Sequence, residues 1–220
     1  MNISKLSDVV SSMAASGYKI FTRPFELNIV GIRSKDSIQN KFDDVFFIFY
    51  RNERNQLVFN IYPCTTDPGT YWLNYPMNPL GSAAIKKGQY IDAFKIGQHT
   101  GYTALIQNGD LQVYRDLDRD SDYDFLTAKV YTSKKSDRID IHRAAPGSTE
   151  NVNKWSAGCQ VFKNSADFDA FLKLCKKQKD LYGNKFTYTL LDEREDFNKK
   201  KISIGAVAAI GLISIALLKA

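Results

Sequence analysis

Short runs of β-branched and aromatic residues, bounded by polar turns, recur along the chain. They lie at 27–33, 44–51, 57–63, 103–107, 111–116, 138–142 and 186–192. Runs of this length and composition are typical of β-strands. The segment RNERNQ at 51–56 separates two of them and predicts a hairpin connection. The pattern therefore predicts a mainly β domain.

Two segments follow the helical period instead. A helix is predicted near the N-terminus from the apolar positions Ile3, Leu6, Val9, Val10 and Met13, with Gly17 as its stop. A second helix is predicted at 166–177, with one apolar face formed by Phe168, Phe171, Leu172 and Cys175. The N-terminal segment has no basic region followed by an apolar core. We therefore expect an amphipathic helix there rather than a secretion signal.

The segment 202–218 carries no charge, and its length lies at the lower edge of what spans a bilayer. It predicts a transmembrane helix, joined by a charged linker at 193–201 to a domain at 1–192; a buried core helix is the alternative. Because Lys199 to Lys201 precede the helix, the positive-inside rule keeps them cytoplasmic. We therefore expect a single-pass C-terminal anchor in a host or virion membrane. Its small residues offer a contact surface for a second copy or a virion partner.

Composition narrows the class of protein. Hydrophobic residues make up 44% of the chain, which argues against disorder. The net charge of +6 comes partly from lysine clusters at 176–179 and 199–201, which favour a lipid surface or an anionic wall polymer. No zinc-finger spacing or aromatic-interleaved basic motif is present, so no nucleic acid partner is expected. The three cysteines lack paired spacing, which disfavours a disulfide-stapled secreted domain.

The stretch DLDRDSDYD at 116–124 alternates carboxylates like the first half of a calcium-binding loop. Such a loop needs a glycine at its sharp turn and a bidentate glutamate at its twelfth position, which here is Thr127. We therefore interpret the stretch as a solvated acidic turn. The cysteines and histidines lack zinc-site spacing as well, so neither a metal nor a cofactor is expected.

One histidine and one cysteine form a candidate reactive pair. His142 ends a predicted strand, and Cys159 follows the small residues 156–158. A thiol becomes a nucleophile by losing its proton, and a nearby imidazole is the usual base. The small residues let a substrate carbonyl approach, and the N–H groups of Gly158 and Cys159 are candidate oxyanion donors. Asp140 shares the face of His142 and could orient its ring. The alternative is a buried cysteine and a core histidine without catalytic roles.

These residues resemble the L,D-transpeptidase catalytic domain (YkuD-like). The segment IDIHRA at 139–144 is similar to the histidine element of that family, and Ser156 to Cys159 are similar to its Ser/Thr-His-Gly-Cys motif. The resemblance implies a β-sandwich with a capping helix. It also implies that Cys159 is the nucleophile toward a peptidoglycan stem peptide and that His142 is its base. The chain departs from the family at Ala157, where histidine is usual, and at Val161, where arginine or asparagine is expected.

Four further residues are candidates for substrate binding. Arg143 follows His142 and could clamp a substrate carboxylate, or be a solvated arginine. Tyr71 and Trp72 lie in a loop rich in proline and glycine and could line a peptide or sugar groove, or cover an exposed core edge. His99 could fold over the cleft, or be a surface turn histidine.

The leading hypothesis is a membrane-anchored, cysteine-dependent enzyme that acts on peptidoglycan stem peptides by acyl transfer or hydrolysis. Because no export signal is visible, a phage lysin or a virion-associated wall-degrading protein fits this hypothesis. The alternative is a non-catalytic, membrane-anchored structural or wall-binding protein on the same scaffold, suggested by Ala157 and Val161. An intracellular cysteine peptidase of unrelated fold is a third reading.

Overall fold

The computed structural model describes residues 6–35, 38–119 and 129–197. The first half of the chain comprises α1 (Leu6–Ala15), β1 (Asn28–Arg33), β2 (Asp44–Arg51), β3 (Leu57–Thr65), α2 (Thr70–Asn74), β4 (Ala83–Ile85), β5 (Gly88–His99) and β6 (Tyr102–Gln107). The second half comprises β7 (Leu111–Arg115), β8 (Val130–Ser133), β9 (Ile141–Arg143), β10 (Gln160–Phe162), α3 (Ser165–Tyr182), β11 (Phe186–Asp192) and α4 (Glu193–Asp196). The predicted mainly β character is confirmed.

Eight of these strands form a closed barrel in the order β1-β11-β5-β6-β9-β10-β3-β2. The pairs β1–β11 and β9–β10 are parallel, and the other neighbours are antiparallel. The remaining strands form a three-stranded sheet in the order β4-β7-β8. Closing the barrel pairs strand edges that would otherwise be open to another chain.

The main core lies among the barrel strands and the apolar face of α3. On that helix Phe168 and Phe171 pack against Phe162 of β10, with ring centroids 5.5 and 5.0 Å apart. The hydroxyl of Tyr188 on β11 donates a hydrogen bond of 2.7 Å to the buried side-chain oxygen of Gln160. Both ends of β10 are therefore held, Phe162 by α3 and Gln160 by β11.

The outer face of β1, β2 and β11 is covered by helix α1. A second core cluster is formed by the α1 residues Leu6, Val9, Val10 and Met13 with Val30, Ile32, Phe47, Phe49 and Leu191. All six positions of β1 are buried. The continuous apolar run at 44–51 has the same cause, because a strand covered on both faces loses its polar alternation.

A buried ion pair ties several elements together. Arg33, at the end of β1, is 1% exposed and donates from Nε to the Asp67 carboxylate at 2.9 Å. Its Nη2 donates to the Ile85 carbonyl of β4 at 3.1 Å. The Asp44 carboxylate of β2 accepts hydrogen bonds from the N–H groups of Ser34 and Thr66, at 2.8 and 2.7 Å.

The fold class expected from the sequence is wrong about the arrangement of the strands. The strands close into a barrel rather than stacking as a β-sandwich, because parallel pairing of β1 with β11 joins the edges that a sandwich leaves open. Within the ranges that the structure describes, no helix is long and apolar enough to cross a membrane. The segment 202–218, predicted to be a transmembrane helix, lies outside these ranges, as do Ile3 and most of the acidic stretch.

Candidate active site

The two motif segments are brought side by side by the parallel pairing of β9 and β10. His142 lies opposite Val161, and Ile141 lies opposite Gln160. One step earlier, the Gln160 N–H donates to the Asp140 carbonyl at 2.9 Å, which places Cys159 beside Asp140. Since side chains alternate along a strand, His142 points away from the core that contains Ile141.

The ring of His142 is fixed by its neighbour's backbone. Its Nδ1 lies 2.7 Å from the carbonyl oxygen of Arg143, and the Tyr102 hydroxyl donates to the same oxygen at 3.2 Å. A carbonyl only accepts, so Nδ1 carries the proton and Nε2 of the neutral ring is an acceptor. Burial, together with the nearby His99, lowers the pKa of His142 to about 3. The imidazole is therefore neutral at ordinary pH, and its Nε2 is unprotonated.

The thiol of Cys159 is held by backbone groups. Sγ accepts a hydrogen bond from the Asp140 N–H at 3.4 Å and donates to the Arg138 carbonyl at 3.5 Å. Burial raises the pKa of the thiol to about 12, against a lowering contribution from the Asp140 N–H. None of the thiol's hydrogen bonds involves His142. At rest the candidate pair is thus a neutral thiol and a neutral imidazole rather than a thiolate and an imidazolium.

The loop before the cysteine has a defined geometry. The Ser156 hydroxyl donates to the Cys159 carbonyl at 2.7 Å and accepts from the Gly158 N–H at 3.2 Å. Gly158 has φ 132°, and an added Cβ would lie 2.8 Å from the Ala83 carbonyl oxygen. The Gly158 N–H is therefore occupied, and this glycine keeps the loop close to β4. The Cys159 N–H donates no hydrogen bond in the described structure, which leaves it for a substrate oxyanion.

The second histidine lies against the first. His99, the last residue of β5, stacks on His142 with ring centroids 4.1 Å apart and an angle of 18° between the planes. Its Nδ1 is 2.8 Å from the Asp140 carboxylate. Asp140 therefore orients His99, not His142 as the sequence suggested. The structure places His99 against His142, and the hydrogen-bond partner of its ring is Asp140 rather than a substrate.

The carboxylate of Asp140 is fully buried and well satisfied. It accepts from Nη2 of Arg138 and from the Gln107 N–H, at 2.8 and 2.9 Å, in addition to its contact with His99. Burial raises the pKa of Asp140, but the hydrogen bonds from His99 and Arg138 outweigh it and hold this pKa below its ordinary value. The group is consequently a carboxylate at neutral pH, and it fixes the position of the His99 ring.

Arg143 and Tyr102, which both contact His142, line an open groove of about 380 Å³. The Arg143 guanidinium lies 4.5 Å from the centre of the Tyr102 ring, and both residues line the groove with Phe168 and Lys176 of α3. Arg143 is thus placed to meet a substrate. Tyr102 was not predicted, because a tyrosine after a turn carries no local sign that its strand will lie beside β9.

Tyr71 and Trp72 lie on α2, beside the loop that leads to the cysteine. The Trp72 indole N–H donates to the Lys154 carbonyl at 2.9 Å, and the Lys154 ammonium lies 4.1 Å from the centre of the Tyr71 ring. The Gly69 N–H donates to the Ser156 carbonyl at 2.8 Å. The two aromatic residues therefore support the 154–158 loop, in which Trp155 is 38% exposed.

The described part of the chain holds no group of three or more His, Cys, Asp or Glu side chains placed to bind a metal ion. Comparison of the chain with protein-family models, with curated proteins and with solved structures finds no match.

Proposed function

We propose that this protein is a cysteine-dependent enzyme that processes peptidoglycan stem peptides by acyl transfer or hydrolysis. One observation carries the proposal: the Arg143 carbonyl accepts a hydrogen bond from the Nδ1–H of His142, which leaves Nε2 unprotonated on the strand that pairs with β10, next to Cys159. The resemblance of the 139–144 and 156–159 segments to the L,D-transpeptidase motif supplies the substrate class.

The reaction begins from neutral groups. Sγ of Cys159 attacks a peptide carbonyl carbon while its proton passes to Nε2 of His142. The carbonyl oxygen becomes an oxyanion and accepts a hydrogen bond from the Cys159 N–H. Collapse of this intermediate expels an amine, which takes the proton back from the imidazolium. An incoming amine or water then attacks the acyl carbon and gives a proton to Nε2 of His142. The C–S bond breaks, the sulfur takes that proton to restore the thiol, and the product is a new peptide bond or an acid.

The thiol has to leave the Arg138 carbonyl before it transfers its proton, because that carbonyl holds the S–H at rest. A substrate carbonyl that fills this position would release the thiol toward His142. Reactivity therefore depends on substrate binding. The neutral resting pair fits such an enzyme better than one with a permanently ionised cysteine.

A second candidate function is non-catalytic binding of the wall polymer. It is favoured by the raised pKa of Cys159 and by the backbone contacts that hold the thiol away from His142. In that case Tyr71, Trp72 and Trp155 would provide a binding surface.

Digestion of purified peptidoglycan by the full chain tests the proposal, with the muropeptides analysed by mass spectrometry. We expect stem-peptide species to appear or disappear with the wild type and to stay unchanged with Cys159→Ala and His142→Ala. Cys175→Ala, which removes a buried thiol on α3, is the matched control and should act like the wild type. Unchanged muropeptides from walls of several cross-link types would support the binding function instead.

A further inference from the structure

The stacked histidines and Asp140 form a unit whose parts come from two different places in the chain. His99 ends β5, His142 lies in β9, and Asp140 precedes β9. The titratable and charged groups next to the two rings are the side chains of Asp140, Tyr102 and Arg143. Arg138 and Cys159 contact Asp140 on its other sides. Arg138 already pairs with Asp140 at 2.8 Å, and the Gln107 N–H adds a second partner. The Asp140 carboxylate has hydrogen-bond donors enough without an imidazole. Its contact with His99 therefore points to a role for the His99 ring itself.

The separation of the rings couples their protonation states. At 4.1 Å between centroids, two imidazolium ions repel each other strongly, so at most one of the rings carries a charge. During the proposed reaction His142 has to become an imidazolium. A neutral His99 permits this, whereas a protonated His99 opposes it. The nearby His99 contributes to the low pKa of His142, in agreement with this coupling.

We propose that His99 is a positioning residue for the base: held by Asp140, its ring packs against His142 and sets when His142 can take the thiol proton. This inference rests on the proposed acyl transfer. Its physical core, the coupling of two rings, does not require a substrate. The chain has only two histidines, so both can be followed individually by NMR of the ring nitrogens.

The test combines ring NMR with a pH profile. In His99→Asn, the amide takes the place of Nδ1 and can still donate to Asp140, while in His99→Phe a ring remains that cannot be charged. We expect both variants to remove the pH-dependent change in the His142 ring signals. On stem peptides we expect kcat to fall about tenfold to a hundredfold with KM changed little, and the acid limb of the wild-type profile to move to lower pH.

The two readouts separate the possible failures. His142 signals that titrate alike in the wild type and in His99→Phe would overturn the coupling, whether or not the enzyme turns over. A change in KM alone, with the acid limb unmoved, would show that His99 contacts the substrate and would also overturn the inference. A wild type without turnover but with coupled rings would sink the proposed function only. Unfolding curves, measured for the His99 variants and for Asp140→Asn, show whether a lost ring signal is caused by a lost fold.

Discussion

At the scale of single residues, the site is defined by which atoms of His142 and Cys159 carry a proton. The Nδ1 proton of His142 is on the side of the Arg143 carbonyl, and the thiol proton of Cys159 is on the side of the Arg138 carbonyl. Both residues are consequently uncharged at neutral pH. Such a site resembles a serine–histidine pair more than a cysteine protease with a stored thiolate.

The resting state predicts the pH dependence of alkylation at Cys159. Because burial raises the pKa of the thiol to about 12, its thiolate fraction at pH 7 is on the order of 10⁻⁵. We expect the rate with iodoacetamide to rise about tenfold per pH unit from pH 7 to 10, measured by mass spectrometry of the adduct. The buried Cys64 and Cys175 should stay unmodified. A rate that levels off below pH 7 would instead reveal a thiolate–imidazolium pair.

Gly158→Ala should damage the site by displacing the loop. Its φ of 132° is strained for alanine, and the added Cβ would meet the Ala83 carbonyl oxygen at 2.8 Å. We expect a loss of about 2–4 kcal/mol in urea unfolding and a faster, unselective alkylation of Cys159. Gly147→Ala is the matched control, since its φ is 87° but nothing lies within 4 Å of the added atom. Equal losses in the two variants would show that only backbone strain matters.

The sequence located part of this site. His142 and Cys159 could be paired because their order, their small neighbours and a strand end are local features of the chain. The sequence offered His99 only as one candidate among several and did not indicate Tyr102. Their contacts with His142 depend on β6 lying beside β9 through a single paired position, Leu105 with Ile141. Nothing near residue 100 specifies that neighbour.

At the scale of elements, charge is buried where strands end. Arg33 closes β1 and is paired with Asp67, which follows β3. Arg33→Met should cost about 3–5 kcal/mol in urea unfolding, because it leaves the buried Asp67 carboxylate without its cation. The exposed pair of Arg23 with Glu26 provides the control, and Arg23→Met should cost about 0–1 kcal/mol. Similar losses in both variants would mean that the buried pair adds nothing beyond a surface pair.

Strand β5 is not among the strands predicted from the sequence, and its pattern of exposure explains why. The segment Gly88–His99 has mixed exposure along its length and a positive φ at Asp92, so it lacks a regular alternation of apolar and polar positions. It nevertheless pairs with β6 over six positions and with β11. Its strand character comes from these neighbours, which a local pattern does not show.

At the scale of the whole molecule, helix α1 is part of the core and not an accessory. Val9 is fully buried against the outer face of the barrel, whereas Ser7 is exposed. We expect Val9→Asp to lower the free energy of unfolding by more than about 3 kcal/mol and to cause association in size-exclusion chromatography, because it buries a charge. Ser7→Asp should change stability by less than about 0.5 kcal/mol. A stable monomeric Val9→Asp protein would show that α1 detaches without harm.

The overall class of the fold was partly predictable. Strand content and the α3 face follow from local periodicity, since a period of two or of 3.6 is visible in short windows. Closure of the barrel was not predictable, because it depends on β1 pairing with β11, and nearly the whole sequence of the domain separates these two strands. The same strand runs are compatible with a sandwich or a barrel, and only their order around the sheet separates the two.

That closing contact also constrains how the protein is made. The parallel pairing of Ile29 with Tyr188 joins one of the first strands synthesised to the last. A nascent chain on the ribosome therefore holds β1 with one unpaired edge until Phe186–Asp192 has emerged. The barrel therefore closes late in folding, since contacts of such long sequence separation are slow to form. During that interval the open apolar edge is a natural target for chaperones.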